Sequence, residues 1–131
     1  MEPNKIVVKF KNQTVVKGTT TDFFPNKPKF HLTGEDGKTT EISVETLKAI
    51  FFVKDLGGDK DHNYDYKDEI AAAGRKMRVH FTDGEVISGY TLGYSPDRDG
   101  FFLTPADLKG NNARIFVVRS ATQKIEFIQS L

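Results

Sequence analysis

The sequence of 131 residues contains no cysteine and no long apolar run. Without cysteine, the chain has no disulfide, no thiolate nucleophile and no zinc or iron–sulfur site that depends on sulfur. Without about 20 consecutive apolar residues it has no membrane-spanning helix, and Met1–Lys5 lack the features of a signal peptide. We therefore expect a cytoplasmic protein that does not enter a membrane.

An excess of charge of one sign is also lacking. The 19 Lys and Arg residues nearly balance 18 Asp and Glu residues, which leaves a net charge of +1. Tight, unspecific binding to polyanions needs many cations that neutralise phosphates, so this composition argues against it. With 37% hydrophobic residues, a chain of this length buries a core without a metal or a disulfide. We predict an ordinary globular protein with no cofactor and no metal.

An internal repeat is the clearest positive feature. A shift of 71 positions places residues 5–38 over residues 76–109 without a gap, and 12 of the 34 aligned pairs are identical. The two copies continue beyond this block with looser spacing. We interpret the chain as a duplicated unit, with a first repeat at residues 1–54 and a second at residues 75–131.

The segment between the repeats, residues 55–74, is acidic, with two basic and six acidic residues. Gly57 and Gly58 break regular structure, and the polar residues that follow favour an exposed loop. Tyr66–Ala73 have a composition that allows about two helical turns, which Gly74 would end. The sequence therefore predicts an acidic linker with a short helix.

Within each repeat the apolar residues recur with a period of two. In Met77–Phe81 they alternate with polar residues, as a half-buried strand requires. Asp83–Gly84 predicts a tight hairpin turn, and Gly18 and Gly89 predict a bend or a close backbone approach within a long strand. The pattern gives five short strands per repeat, and it leaves open whether Thr46–Phe51 form a strand or a helical turn.

This layout resembles the small barrels of the Sm-like and SH3-like families. The second repeat resembles the first half of the Sm signature, and the residues that carry this are Val79, Phe81, Asp83, Gly84, Gly89, Leu92, Phe101 and Leu103. The resemblance implies a mainly β fold of two tandem Sm-like or SH3-like five-stranded small barrels, joined by the acidic linker. It also implies RNA binding through two loops, but Asp97–Gly100 and Val118–Ser120 depart from the family pattern there.

One segment of the linker has the spacing that opens a calcium-binding loop. Asp59, Asp61, Asn63 and Asp65 alternate with other residues, as the first oxygen ligands of such a loop do. The sixth position is not glycine, and the twelfth, Ile70, is not glutamate. We therefore interpret these acids as part of a solvated connector.

No catalytic pattern is complete in the sequence. His31, His62 and His80 share no spacing that identifies a ligand set or an acid–base pair. Gly93–Asp97 lack the second glycine of a nucleophile elbow. The sequence predicts no catalytic residue, and we expect the protein not to be an enzyme.

Cyclic-dinucleotide binding of the kind seen in PilZ domains is a further alternative. A PilZ domain uses an Arg-x-x-x-Arg arm and an Asp/Asn-x-Ser-x-x-Gly strand motif. Arg75–Arg78 have the wrong spacing for the arm, and Asp97–Gly100 lack the serine. Cyclic-dinucleotide binding is therefore a weaker hypothesis than protein interaction or RNA binding.

Five exposed side chains are the candidate contacts for a partner. Basic residues interleaved with aromatic ones provide both phosphate contacts and stacking surfaces, and the residues of this kind are Arg78, Tyr94, Arg98, Arg114 and Arg119. We expect a small, non-catalytic bacterial protein that acts as an interaction or regulatory module, with another protein or a second copy of itself as partner. Single-stranded RNA binding of the Sm-like type is the alternative.

Overall fold

Ten β-strands and two single 3-10 turns make up the regular structure of the chain, which the computed structural model describes for residues 2–128. The strands of the first half are β1 (Asn4–Phe10), β2 (Val15–Thr20), β3 (Lys29–Thr33), β4 (Thr39–Ser43) and β5 (Leu47–Val53). Those of the second half are β6 (Arg75–Phe81), β7 (Val86–Thr91), β8 (Gly100–Pro105), β9 (Asn112–Val118) and β10 (Thr122–Phe127). The prediction of a mainly β fold is confirmed. Met1 of the first predicted repeat and residues 129–131 of the second lie outside the described residues.

The alternation of apolar and polar residues explains most strands. In β6, Met77, Val79 and Phe81 are at most 1% exposed, whereas Arg78 between them is exposed, as the two-residue period of a strand requires. Strand β5 differs, because six consecutive residues, Leu47–Phe52, are buried and both of its faces are covered. The helical alternative for Thr46–Phe51 is excluded, because Leu47–Val53 form a strand and the 3-10 turn at Val44–Thr46 ends before it. Among residues 2–128, no helix has the length and apolar character needed to cross a membrane.

All ten strands belong to one antiparallel sheet, in the order β10-β6-β7-β8-β9-β5-β1-β2-β3-β4. Each half repeats the same pairings, with its first strand between its fifth and its second. The halves join where β5 pairs with β9, and there Ile50 lies opposite Phe116 and Phe51 opposite Ile115. The prediction of two separate barrels is corrected, because apolar residues cover both faces of β5 and β9 and their pairing removes two open edges.

The cores also cross the joint between the halves. The core of the first half includes Phe116 and Val118 from β9, and the core of the second half includes Ala49 and Phe51 from β5. Phe23 packs against the first core, and its ring centroid lies 4.9 Å from that of Phe116. The two halves therefore bury apolar surface together, which the predicted barrels would have done separately.

Gly18 and Gly89 occur where two strands of each half cross closely. A Cβ at Gly18 would lie 2.3 Å from the carbonyl oxygen of Thr33, and a Cβ at Gly89 would lie 2.4 Å from that of Thr104. Both distances are far below any real contact, so only glycine fits at these two positions. The predicted close approach of backbones is confirmed.

The predicted helix of the linker is wrong. Tyr66 and Ala72 have φ values of 53° and 61°, in the left-handed region that a right-handed helix excludes. The segment instead follows the loop after β8, where the Asp68 amide donates to the Ala106 carbonyl at 2.9 Å. The Leu108 amide donates to the Asp68 carboxylate at 2.7 Å. Tertiary hydrogen bonds thus replace the helical ones, and the Tyr66 ring packs against the second core.

Candidate functional site

A cleft of about 310 Å³ lies where the two halves and the linker meet. Its aromatic wall consists of four residues, Tyr90, Phe101, Phe102 and Phe116, of which Phe101 and Phe116 are almost fully buried. Pro25 from the first half, Ala73 from the linker and Arg98 from the second half also line it. A concave, mostly apolar site with few polar groups is the usual form of a binding site, and we call this site the junction cleft.

The aromatic wall of the junction cleft follows from the pattern of β8. Successive residues of a strand face opposite sides, so Phe101 packs in the second core and Phe102 against the first. Gly100 precedes them, and a Cβ there would lie 2.5 Å from the ring of Phe116. Glycine at this position therefore lets the Phe116 ring lie against the strand backbone at the base of the cleft.

Two large apolar side chains beside the junction cleft are exposed to solvent. Leu92, which lines the cleft, is 82% exposed, and Phe24, which precedes Pro25, is 48% exposed. Single exposed apolar residues are common on protein surfaces, but two of them beside a cleft form a patch of the kind found at interaction surfaces. The ammonium group of Lys27 lies 5.1 Å from the centroid of the Phe24 ring, so a cation borders this patch.

The structure brings Arg98 and Arg119, two of the predicted contacts, close together. The Arg119 Nε donates a hydrogen bond to the Arg98 carbonyl at 2.9 Å, and its backbone amide donates to the Asp99 carbonyl at 2.8 Å. Arg98 itself lines the junction cleft. Arg119 is thus hydrogen-bonded to the backbone of a residue of the cleft, and Asp97 and Asp99 flank Arg98 along the chain.

Arg114 lies at the joint between the halves. Its guanidinium carbon is 4.3 Å from the centroid of the Phe52 ring and 4.5 Å from that of Phe102, so the side chain stacks between two aromatic residues. Burial lowers the pKa of Arg114 from its ordinary value. Its principal contacts are therefore within the chain, and it does not join the cluster around Arg98.

Arg78 and Tyr94, the other two predicted contacts, lie near the outer strand β10. The Arg78 Nη1 is 3.9 Å from a carboxylate oxygen of Glu126. The Tyr94 ring centroid is 5.1 Å from that of Phe101 and 5.2 Å from that of Phe127. The structure therefore divides the predicted set between the junction cleft, the joint and the outer edge of the sheet.

Each of the three histidines pairs with a carboxylate. His31 Nδ1 lies 2.7 Å from Asp22 Oδ2, and the backbone and side-chain hydrogen bonds from His31 lower the pKa of Asp22. His62 Nε2 lies 2.7 Å from Asp107 Oδ2, which attaches the linker to the loop after β8. The third pair is His80 with Glu126. Within the described chain, no group of three or more His, Asp or Glu side chains is arranged to hold a metal ion.

Of the described residues that line the junction cleft, Arg98 is the one that was among the five predicted contacts; the other lining side chains, Tyr90, Phe102 and the exposed Leu92 among them, were not. The pair Phe101–Phe102 was the available signal, because two adjacent aromatic residues in a strand require that both faces be covered. Nothing in the linker sequence indicates that Ala73 would form a wall of the cleft. Its position depends on the path of the linker across the second half.

A family model, described as a family of unknown function (DUF6982), matches residues 2–129. No curated protein matches the chain, and no solved structure matches it. The family description assigns no activity, so the function has to be inferred from the residues of the cleft and its surroundings.

Proposed function

We propose that this chain, which belongs to the family DUF6982, is a non-catalytic protein-binding module. The junction cleft would be its binding site, and an extended segment of a partner protein its ligand. The observation that carries the proposal is Leu92, whose side chain is 82% exposed at the edge of a cleft with aromatic walls. A ligand that covers such a side chain removes apolar surface from water, which stabilises the complex by about 25 cal/mol for each Å² buried.

The charges around the junction cleft favour one kind of segment. Arg98 lines the cleft, and Lys27 lies over the neighbouring Phe24 ring. A ligand that places an apolar side chain against Leu92 and the aromatic wall, and an Asp or Glu beside it, would satisfy both features. Complementary charge at the rim gives specificity and a faster association, while the apolar contact gives most of the affinity.

Single-stranded RNA is the second candidate, and the proximity of Arg98 and Arg119 favours it. Aromatic rings beside cations are the usual means of binding single strands. Asp97 and Asp99 flank Arg98, however, and the linker that supplies Ala73 carries two basic and six acidic residues. These carboxylates repel phosphate, so the surroundings of the cleft favour a protein segment over RNA.

The similarity of the two halves supports a proposal about the origin of the fold. We propose that the two halves descend from one duplicated five-stranded unit similar to those of Sm-like and SH3-like domains, and that the protein acts in the cytoplasm. Both halves have a hairpin closed in the same way, since Phe10 and Phe81 donate their amides to the Thr14 and Glu85 carbonyls at 2.9 Å. Such units commonly serve as scaffolds whose loops carry the binding residues.

A selection from a random peptide library against the whole chain tests the proposal. We expect the selected peptides to share an apolar residue next to an acidic one, and to shift the NMR signals of Tyr90, Leu92 and Phe102. Leu92→Ser should weaken binding about tenfold or more, as loss of an apolar anchor that the ligand covers does. The matched control is Leu108→Ser, since Leu108 is 58% exposed outside the cleft.

Other results would overturn the proposal. Peptides that bind equally well to the Leu92→Ser variant would place the binding site elsewhere. A mixed-sequence RNA that binds at low salt and weakens steeply with rising salt, with loss on Arg98→Ala, would establish the RNA alternative. Arg78→Ala is the control for that substitution, because Arg78 lies on β6, away from the cleft.

A further inference from the structure

The joint between the halves unites two different strands of the repeated unit. Strand β5 is the fifth strand of the first half, and β9 is the fourth strand of the second half. The fourth strand of the first half, β4, and the fifth strand of the second half, β10, are the two outer strands of the sheet. The two ends of the sheet therefore carry the same two kinds of strand that the joint already pairs.

Both outer strands have one neighbour only within the described residues. Strand β4 pairs with β3, and β10 pairs with β6. Each outer strand thus has a row of backbone amides and carbonyls directed away from the sheet, which is a template for another strand. Neither strand contains proline, so nothing in the backbone chemistry prevents pairing.

A three-residue contact of the joint shows what the outer strands would bring together. At the joint, Phe23 packs against Phe102 and Phe116 of the other half, with ring centroids 6.1 Å and 4.9 Å away. Phe102 lies opposite Phe116 in the pairing of β8 with β9. This triad is wholly apolar, in agreement with a permanent contact inside one chain.

The corresponding residues at the two ends of the sheet are polar and mutually compatible. The shift of 71 positions relates Phe23 to Tyr94 and Phe102 to His31, and His31 lies opposite Glu41 as Phe102 lies opposite Phe116. Tyr94 is on the side of β10, where it packs on Phe127. A phenol hydroxyl, an imidazole and a carboxylate form hydrogen bonds with one another, so the three side chains are complementary. Within the chain His31 also contacts Asp22, and Glu41 also contacts Lys29.

A charge pair adds to this complementarity. The Arg75 guanidinium carbon lies 3.7 Å from the centroid of the Phe127 ring, at the outer edge of the second half. In the joint, Phe52 corresponds to Phe127, and Phe116 corresponds to Glu41. Phe52 lies opposite Arg114, and Phe116 is two residues further along the same strand, on the same face of the sheet. A β4 strand paired in this register would thus place the Glu41 carboxylate near Arg75.

We propose that copies of this chain associate head to tail, with β10 of one copy pairing with β4 of the next in the register of the joint. Lys124 would then lie opposite Ile42, which corresponds to the pair Ala49 and Val117 of the joint. Glu126 would lie opposite Thr40, which corresponds to the pair Phe51 and Ile115. Because polar residues replace the apolar ones, this association is weaker than the joint and reversible. An interface between unlike edges closes into a ring or continues as a filament.

A disulfide trap tests the register directly, because the chain has no cysteine of its own. The variant with Thr40→Cys and Glu126→Cys carries its two thiols at opposite ends of one sheet, where they cannot pair within a chain. Opposite residues of antiparallel strands lie about 4.5–5.5 Å apart, which a disulfide spans. On mild oxidation we expect a ladder of covalent oligomers that a reducing agent dissolves.

The control for the trap combines Thr40→Cys with Lys60→Cys, since Lys60 is an exposed linker residue that the proposed register leaves unpaired. Equal cross-linking in both variants would mean random collision and would overturn the proposal. Monomers alone after oxidation of the Thr40 and Glu126 variant would also overturn it. Circular dichroism of each variant establishes that the sheet is intact.

Sedimentation of the unmodified chain across a range of concentrations provides an independent test. We expect the mean mass to rise with concentration, Glu41→Arg to weaken association about tenfold or more, and Arg75→Glu to do the same. The double variant should restore association, because the pair is then reversed. Asp59→Arg, the same charge change in the exposed linker, should leave it unaltered. A monomer mass that stays constant up to about 1 mM would overturn the proposal.

Discussion

The Nζ of Lys48 lies 2.6 Å from Oδ2 of Asp83, and this contact links strand β5 of the first half to the hairpin turn of the second. The same ammonium group binds the Glu85 carboxylate and lies 4.7 Å from the centroid of the Phe81 ring. The Lys48 side chain is only 6% exposed. A lysine is rarely buried to this extent unless carboxylates compensate its charge.

We expect Lys48→Met to destabilise the fold by about 1–3 kcal/mol, because it leaves the partly buried Asp83 carboxylate without its cation. The value is below that of a fully buried pair, since Glu85 remains 36% exposed and water can solvate it. Urea unfolding at pH 7 measures the difference. Lys60→Met, a substitution of an exposed linker lysine, should change the midpoint little, and an equal effect of both would contradict this role of Lys48.

Acid should weaken the contact between Lys48 and Asp83. Burial raises the pKa of Asp83, but the Lys48 side chain and the Glu85 amide bind the carboxylate and together lower the pKa below its ordinary value of 3.8. A carboxylate with a depressed pKa in the folded state stabilises the fold fully above pH 3.8, and loses that contribution as the pH falls through the folded value. Urea midpoints should therefore drop below about pH 4.

The variant Asp83→Asn isolates the contribution of the Asp83 carboxylate to the pH dependence of stability. It cannot titrate, so its stability should be lower than that of the natural chain at pH 7 and should depend less on pH below 4. Stability curves that remain parallel for the two chains between pH 5 and 2.5 would show that other carboxylates account for the acid sensitivity. Asp22, whose pKa is lowered by His31, and Glu126, whose pKa is lowered by His80, are the alternatives.

Gly89→Ala should be strongly destabilising, because the added Cβ would lie 2.4 Å from the Thr104 carbonyl oxygen. Relief of this overlap requires β7 and β8 to separate, at a cost of about 1–3 kcal/mol or more. Gly93→Ala is the matched control, since a Cβ at Gly93 has nothing within 4 Å. Thermal unfolding of both variants checks the prediction, and equal melting temperatures would refute it.

Phe23 and Phe24 are adjacent phenylalanines with different surroundings, so they form a natural comparison. Phe23 contacts Phe30 and Phe52 in its own half and Phe102 and Phe116 across the joint, whereas Phe24 is 48% exposed. Phe23→Ala should cost about 2–4 kcal/mol through lost packing, and Phe24→Ala less than about 1 kcal/mol. Chemical denaturation of both variants measures the ratio, and a larger loss at Phe24 would contradict this account of the joint.

Local pattern explains why much of the fold was predictable. The alternation in Met77–Phe81 gives a strand, and Asp83–Gly84 gives a hairpin in which Gly84 has a φ of 95°. These features depend on residues close together in the chain, so a sequence contains them directly. The linker helix was wrong because Tyr66 gains more by packing on the second core than a two-turn helix gains from its own hydrogen bonds.

The candidate site was predictable only in part. Arg98 was identified as a loop residue, and the structure places it at the junction cleft beside Arg119. Arg114 was predicted to be an exposed contact, and it is exposed, but its guanidinium also stacks on Phe52 and Phe102, which the sequence did not indicate. A side chain's periodic position shows which face of its strand it occupies, but not which element covers that face.

The sequence by itself determined the strands, the hairpin turns, and the two glycines at which the strands of each half cross closely, because these follow from a two-residue period and from backbone sterics. Only the tertiary structure decided that β5 pairs with β9, that the linker crosses the second half and that a cleft opens between them. Those contacts join residues far apart in the chain, as Phe51 and Ile115 are. Many apolar strands would satisfy an open edge, and the choice among them depends on packing of the whole molecule.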